Sequence, residues 1–193
     1  MFRWIALAAV VGTLGVSVYH RRRAREGGEV LDRRLETPGM KLLRGAVGLP
    51  LYGGLLVYLV RPRWMAWAAF DVPDGLRWAG AALGLAAVPG AWWVLRHLGR
   101  NVSETVLTKS DHALVTTGPY RWVRHPLYTT GFLLFLGVGL MAGSWFLLLF
   151  TLLAGVAIRF AVVPAEEEAL VERFGDAYRR YMAGTGRLLP RLR

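Results

Sequence analysis

The sequence contains no cysteine, which excludes disulfides, thiolate nucleophiles and cysteine–zinc sites. Acidic side chains are scarce, 13 against 24 Lys and Arg, for a formal net charge of +11. The four histidines, His20, His97, His112 and His125, form no HxxxH or HExxH pair, so nothing in the spacing argues for a metal. Internal repeats and low-complexity linkers are also missing. At 193 residues the chain has the size of one ordinary domain, and a single unit over 1–193 is expected, with N-terminal spans in 1–95 and the polar motifs in 96–193.

What the sequence has in excess is apolar residues, 54% of the total, gathered into blocks. That is the composition of a membrane protein. Five apolar spans are expected, at roughly 2–19, 45–60, 78–95, 127–142 and 144–163, the shorter ones crossing with the help of tilt or flanking residues. The first is no ordinary signal peptide, because its basic cluster HRRRAR follows the apolar run. In a soluble protein the basic excess would suggest a nucleic-acid partner. Here the cations lie between apolar blocks and no nucleic-acid-binding motif is present, so topology and anionic membrane lipid are the expected uses, and no nucleic acid is expected.

Arginine and lysine divide nineteen to four between the two sides that five spans define, with Arg159 near the inner end of the last span as the exception. The positive-inside rule then expects an integral protein of the bacterial inner membrane, N-terminus outside and C-terminus cytoplasmic. Two small-xxx-small patterns, GAALG at 80–84 and GLMAG at 139–143, are helix close-approach signals. The short AGS connection makes the fourth and fifth spans an antiparallel hairpin. After them, PAEEEALVERFGDAYRRYM reads as one amphipathic helix opening at Pro164, lying on the membrane surface or packing on the cytoplasmic loop. The expected fold is therefore all-α, a membrane bundle of about five helices with a cytoplasmic amphipathic C-terminal helix.

Two stretches carry chemistry. KSDHALVTTGPYRWVRHPLY, residues 109–128, is polar and turn-rich, and Pro126 presents His125 at a helix N-terminus, where backbone N–H groups suit a ligand carboxylate. Its plain reading is an interfacial anchor of Arg, Trp and Tyr. Glu166, Glu167 and Glu168 would ordinarily complement a helix dipole. The hairpin nevertheless brings them to the same membrane face as His125, where a carboxylate suits an amine or a sulfonium.

Taken in order, H-x-L-V, G-x-Y, R-H-P-x-Y, E-E-x-x-L-x-x-x-F-G-x-x-Y-x-x-Y and R-x-x-P over residues 96–190 resemble the isoprenylcysteine carboxyl methyltransferase family, related to phospholipid methyltransferases. The resemblance implies an integral-membrane O-methyltransferase that uses S-adenosyl-L-methionine on a lipophilic or lipidated acceptor, with 96–193 as its cofactor-binding catalytic half. Cofactor contacts carried over by motif are His112, Ala113, Leu114, Val115, Tyr120, His125, Pro126, Leu127, Tyr128 and Glu166, with Glu167 beside the last as a catalytic candidate. The family resembles itself in an arginine four residues before the first glutamate, which contacts the acceptor carboxylate. Val162 stands there in this chain, and Arg159, nearly a helical turn earlier, is the substitute candidate. The family's Asn-Pro turn between the last two spans is replaced by Gly143-Ser144. Alternatives are a phospholipid-amine or phenolic-lipid methyltransferase, an NADPH-dependent sterol-type reductase, for which R-x-P-N-Y would be expected, and a non-enzymatic scaffold whose basic loops bind lipid.

Overall fold

A computed structural model describes residues 1–25, 37–99 and 114–191. His112 and Ala113 lie outside the described residues. The regular structure of the described residues is helical: α1 Phe2–Arg25, α2 Pro38–Val60, α3 Asp74–Leu98, α4 Pro126–Ala142, α5 Trp145–Ala157, α6 Val163–Phe174 and α7 Asp176–Gly184. Short 3₁₀ turns, Pro62–Ala68 and Gly118–Arg121, punctuate the connections. Four helices are long and apolar enough to cross a membrane, Phe2–Ala24, Pro38–Val60, Asp74–Leu98 and Trp145–Phe174, and α4 is a shorter apolar fifth. At 1.5 Å per residue the 25 residues of α3 reach about 37 Å, beyond the ~30 Å hydrocarbon core. This is the five-helix all-α membrane bundle that the apolar blocks predict.

Water is not what drives these helices together within a membrane, so close packing has to hold them. The GAALG pattern does this. A Cβ on Gly80 would stand 2.8 Å from the Gly137 carbonyl, and one on Gly137 would stand 2.5 Å from that of Gly80. The α3 and α4 backbones therefore touch with no side chain between them. In GLMAG, Gly139 lets Leu148 of α5 close the hairpin. Gly143 ends α4 in the left-handed region, φ 58°, where glycine is unstrained. Ser144 then caps α5, its hydroxyl accepting from the Leu147 amide. At this end of the bundle the Arg77 guanidinium donates to the Met141 carbonyl at 2.9 and 3.2 Å, satisfying the last turn of α4.

The C-terminal region differs from expectation in two places. The fifth span does not stop near 163 with a new helix opening at Pro164. One continuous helical rod runs Trp145–Phe174, 30 residues, through a π-turn at Ile158–Val162. Proline inside a helix lacks an N–H and crowds the carbonyl four residues back. The wider turn accommodates it, with the Val163 amide bonding the Ile158 carbonyl five residues back. Glu166–Glu168 consequently lie within a rod rather than at a free helix start, and the dipole explanation for them falls away. The second difference is at Gly175, φ 55°, which splits the expected amphipathic helix into α6 and α7. α7 packs on the segment that contains His125, with the Tyr181 hydroxyl donating to the Tyr120 carbonyl at 2.6 Å.

Candidate active site

The site is assembled from four pieces of chain that meet at one end of the bundle. The first is the turn before α4. Gly118 sits at φ 60°, and a Cβ there would collide with the His97 ring at 2.3 Å. Only glycine lets this loop dock on the end of α3. Tyr120 and Pro119 are buried behind it. His125 then takes a non-helical φ of −123° before Pro126 opens α4.

The second piece is the tail. Backbone bonds from the Gly186 amide to the Trp122 carbonyl (3.0 Å), from the Arg124 amide to the Gly186 carbonyl (2.9 Å) and from the His125 amide to the Arg187 carbonyl (3.1 Å) lay residues 186–187 beside 122–125. Thr129 fastens the next residues by donating to the Leu188 carbonyl at 2.6 Å. The RLLP stretch is thus a strap across the start of α4.

Side chains of these pieces converge on Glu166 and Glu167 of α6, the third piece. Glu167 is 3% exposed. Its Oε1 accepts from Arg124 Nε at 2.7 Å, and its Oε2 pairs with Arg187 Nη2 at 2.6 Å. Arg124 Nη1 reaches the Met182 carbonyl at 3.1 Å and the Thr185 carbonyl. His125, 8% exposed, bridges the pair, with Nδ1 3.3 Å from Glu166 and Nε2 3.4 Å from Glu167. Burial alone would lower the affinity of this ring for a proton. The bonds and charges of Glu166 and Glu167 outweigh that, and its pKa is raised above the usual 6.5. Tyr128 donates its hydroxyl to Glu166. α7 is the fourth piece. Its Tyr178 hydroxyl is buried with no hydrogen-bond partner among the described residues, and burial raises its pKa.

These groups face a cavity of about 540 Å³, within the size range of small-molecule and cofactor sites. One lobe is walled by Leu114, Val115, Tyr120, His125, Pro126, Tyr128, Glu166 and Tyr178, and by Leu170 and Phe174 of α6. The other runs into the bundle between α2, α4 and α5, lined by Leu51, Tyr52, Phe132, Phe135, Thr151, Ala154 and Ile158. Leu127 lies at the margin, 37% exposed.

Of the residues singled out in the sequence, Leu114, Val115, Tyr120, His125, Pro126, Leu127, Tyr128 and Glu166 therefore share one cavity wall. Glu167 stands behind that wall, held by Arg124, Arg187 and His125. Arg159 is not brought in. It is exposed, with its guanidinium 5.1 Å from the centre of the Phe160 ring, and Phe160 is itself 70% exposed. Val162 lines the cavity in its place. Sequence reasoning missed Arg124, Arg187 and Tyr178, although all three lie within quoted motifs. It also missed Arg21 of α1 and Arg44 of α2, which line the cavity from the N-terminal helices.

The geometry has counterparts in known proteins. Protein-S-isoprenylcysteine O-methyltransferase of Schizosaccharomyces pombe is 40% identical over 88 residues, 43% of this chain and 36% of that protein. The nickel-cobalt-cadmium resistance protein NccN of Alcaligenes xylosoxydans xylosoxydans is 34% identical over 108 residues, 56% of this chain and 46% of its own. The chain thus spans less than half the length of these curated relatives. Among solved structures, the eukaryotic intramembrane Ras methyltransferase, isoprenylcysteine carboxyl methyltransferase, superposes with a TM-score of 0.57 at 19% identity. The match covers 96% of this chain and 67% of that one, a likeness of fold. The sequence profile of the phospholipid methyltransferase family matches residues 76–177, more than half of the chain and all of the glutamate rod, and the chain belongs to that family.

Proposed function

We propose that this protein is an integral-membrane methyltransferase that takes its methyl group from S-adenosyl-L-methionine and delivers it to a lipophilic acceptor. The observation that carries this reading is one cavity whose lining joins polar and aromatic groups of the turn before α4, α6 and α7 to apolar groups of the membrane helices α2, α4 and α5. The residues of the polar lobe fit the donor. Glu166 supplies a carboxylate for a cationic amine. The buried Tyr178 hydroxyl, without a protein partner among the described residues, is a donor that a ligand can satisfy. Leu114, Val115, Leu170 and Phe174 offer an apolar shelf for a purine.

When bound, S-adenosylmethionine supplies an electrophilic methyl group, which passes to a nucleophilic atom of the acceptor as the carbon–sulfur bond breaks and a neutral thioether leaves. The chain contributes position and dryness. Arg124, Arg187 and His125 fix Glu167, and through it the register of α6 against the start of α4. Leu51, Tyr52, Phe132 and Phe135 exclude water from the acceptor lobe, where a desolvated nucleophile reacts fastest. His125 is placed between two carboxylates with a ring nitrogen toward each, so it serves as a charged tie rather than a base. An acceptor that arrives already ionised, such as a carboxylate, needs no base at all. That favours formation of a methyl ester on a carboxylate over transfer to a phenol or an amine.

The Lys and Arg bias supports an orientation with the polar lobe on the cytoplasmic side of a bacterial inner membrane, where the donor is made, and with the acceptor entering from the bilayer. The test is incubation of the purified protein with methyl-labelled S-adenosylmethionine and total membrane lipid, with the labelled product identified by mass. A labelled lipid is the expected result. Absence of label in lipid and of S-adenosylhomocysteine production would withdraw the reading.

A further inference from the structure

Away from the glutamates, the cavity ends at one depth on three helices. Its lining reaches Leu51 and Tyr52 on α2, Phe135 on α4 and Thr151 on α5, and among the described residues none of these helices lines it further in. The reach is the same by each route. Arg44 to Leu51, Tyr128 to Phe135 and Ile158 to Thr151 are each seven residues, roughly 10 Å at 1.5 Å per residue. Beneath this level the bundle is solid. Leu55, Leu134, Val138 and Leu147 are buried in one core cluster. A Cβ on Gly54 would stand 2.8 Å from the Phe146 ring and 3.2 Å from a Leu147 methyl carbon, so α2 lies directly on α5 there. Thr151 is 1% exposed, and its hydroxyl donates to the Leu147 carbonyl at 2.7 Å, so it closes the end without requiring a hydrogen bond from a ligand. Tyr52 meets Phe135 edge-on, ring centres 5.3 Å apart, and bridges α2 and α4 at the same depth. The whole cavity is about 540 Å³, room for one drug-sized ligand, and the methyl donor has to share it.

We propose that the apolar end of the cavity is a blind pocket that selects the acceptor by the length of its apolar chain, with Leu51, Phe135 and Thr151 as its floor. This deepens the methyltransferase reading and rests on it. An extended chain advances about 1.2 Å per backbone bond, so roughly eight to ten carbons fill a depth of ~10 Å. Up to that length each further carbon leaves water and adds affinity. A longer chain has to fold back or part the Tyr52 and Phe135 rings, and its extra carbons gain nothing. The occupant is thus a medium-length alkyl, acyl or short prenyl chain, not the full tail of a membrane lipid.

The test measures dissociation constants, expressed as free aqueous concentration, for the straight-chain primary alcohols from hexanol to tetradecanol. These carry the chain without the charge of any particular headgroup. The protein is saturated with S-adenosylhomocysteine in digitonin, which has no alkyl chain of its own to compete. Affinity should rise roughly fourfold per added carbon and stop rising near decanol. Thr151→Leu, which raises the floor, should move the break to shorter alcohols. Leu51→Ala, which lowers it, should move the break to longer ones. Leu152→Ala, on the exposed side of α5, should leave it in place. A rise that continues unbroken to tetradecanol in a wild type that binds S-adenosylhomocysteine would overturn the blind pocket alone, as would a break at the same length in Thr151→Leu, Leu51→Ala and the wild type. Failure of S-adenosylhomocysteine to bind would instead withdraw the methyltransferase reading, and with it the acceptor role of the pocket.

Discussion

The two walls of the cavity are built on different principles. The wall made by residues 114–128, α6 and α7 is tied by ion pairs and backbone bonds, and its central carboxylate, Glu167, touches Arg124, Arg187 and His125 at once. The α2 wall is largely apolar and glycine-rich, with Arg44 its charged member. Gly54, deep in the bundle, would bring a Cβ to 2.8 Å from the Phe146 ring, whereas Gly45, near the mouth, has nothing within 4 Å. Among the described residues, the buried positions of α2, Leu51, Gly54, Leu55 and Tyr58, lie in its second half, and the cavity reaches along α2 from Leu43 to Tyr52. A rigid polar wall suits a ligand that is always the same, and an apolar wall suits one that varies. The family match, residues 76–177, covers most of the first wall and none of the second.

The sharpest way to break this contrast is to cut the centre of the rigid wall. Glu167→Ala leaves Arg124 buried and Arg187 part-buried without their carboxylate. Unpairing a buried ion pair costs about 3–5 kcal/mol, so a large fall in thermal unfolding temperature in detergent is expected. A shift within error would mean that the wall is held by its backbone bonds alone.

Glu166→Gln is gentler, because shape is kept and one charge is lost from the cavity face. S-adenosylhomocysteine affinity should fall about ten- to hundredfold, with little change in unfolding temperature without ligand. Calorimetric titration would read this directly, and an unchanged affinity removes Glu166 from the donor lobe. Tyr178→Phe goes one step further down the scale. The deleted hydroxyl has no protein partner among the described residues, so the ligand-free protein should keep or slightly gain stability. Loss of one neutral hydrogen bond, about 0.5–1.5 kcal/mol, should weaken S-adenosylhomocysteine roughly two- to tenfold. A destabilised ligand-free variant would show that this hydroxyl is part of the wall and not of the ligand site.

The smallest effect concerns pH. His125 binds its proton more tightly folded than unfolded, since its pKa is raised by Glu166 and Glu167 against the opposing effect of burial. Its contribution to stability is therefore complete below the ordinary value of about 6.5 and fades as pH rises through the raised value. Unfolding temperature should decline over that window in the wild type and be flatter in His125→Gln. Parallel profiles for the two proteins would exclude His125 as the titrating tie.

Much of this was legible in the sequence. Five apolar blocks set five membrane helices, and Gly80, Gly143 and Pro126 act where their chemistry demands. Local rules misread the rod. Pro164 after an apolar run has the signature of a helix start, and no local signal marks the π-turn that carries the helix past it. Gly175 lies inside the stretch that reads as one helix, yet in the left-handed region it ends one helix and begins another. The site residues were found by motif, but their division of labour was not. Arg124 and Arg187 are 63 positions apart in number and meet only because the tail straps the start of α4. Arg44 was counted among the cations that set membrane orientation, and only the tertiary fold turns it toward a cavity.

The central claim, that the polar lobe is a donor site for S-adenosylmethionine, is tested most directly by ligand-induced stabilisation of the purified protein in detergent. S-adenosylhomocysteine at a hundred times its dissociation constant should raise stability by about 2.7 kcal/mol, visible as a higher unfolding temperature, and NADPH should leave it unchanged. A shift with NADPH and none with S-adenosylhomocysteine would contradict the account.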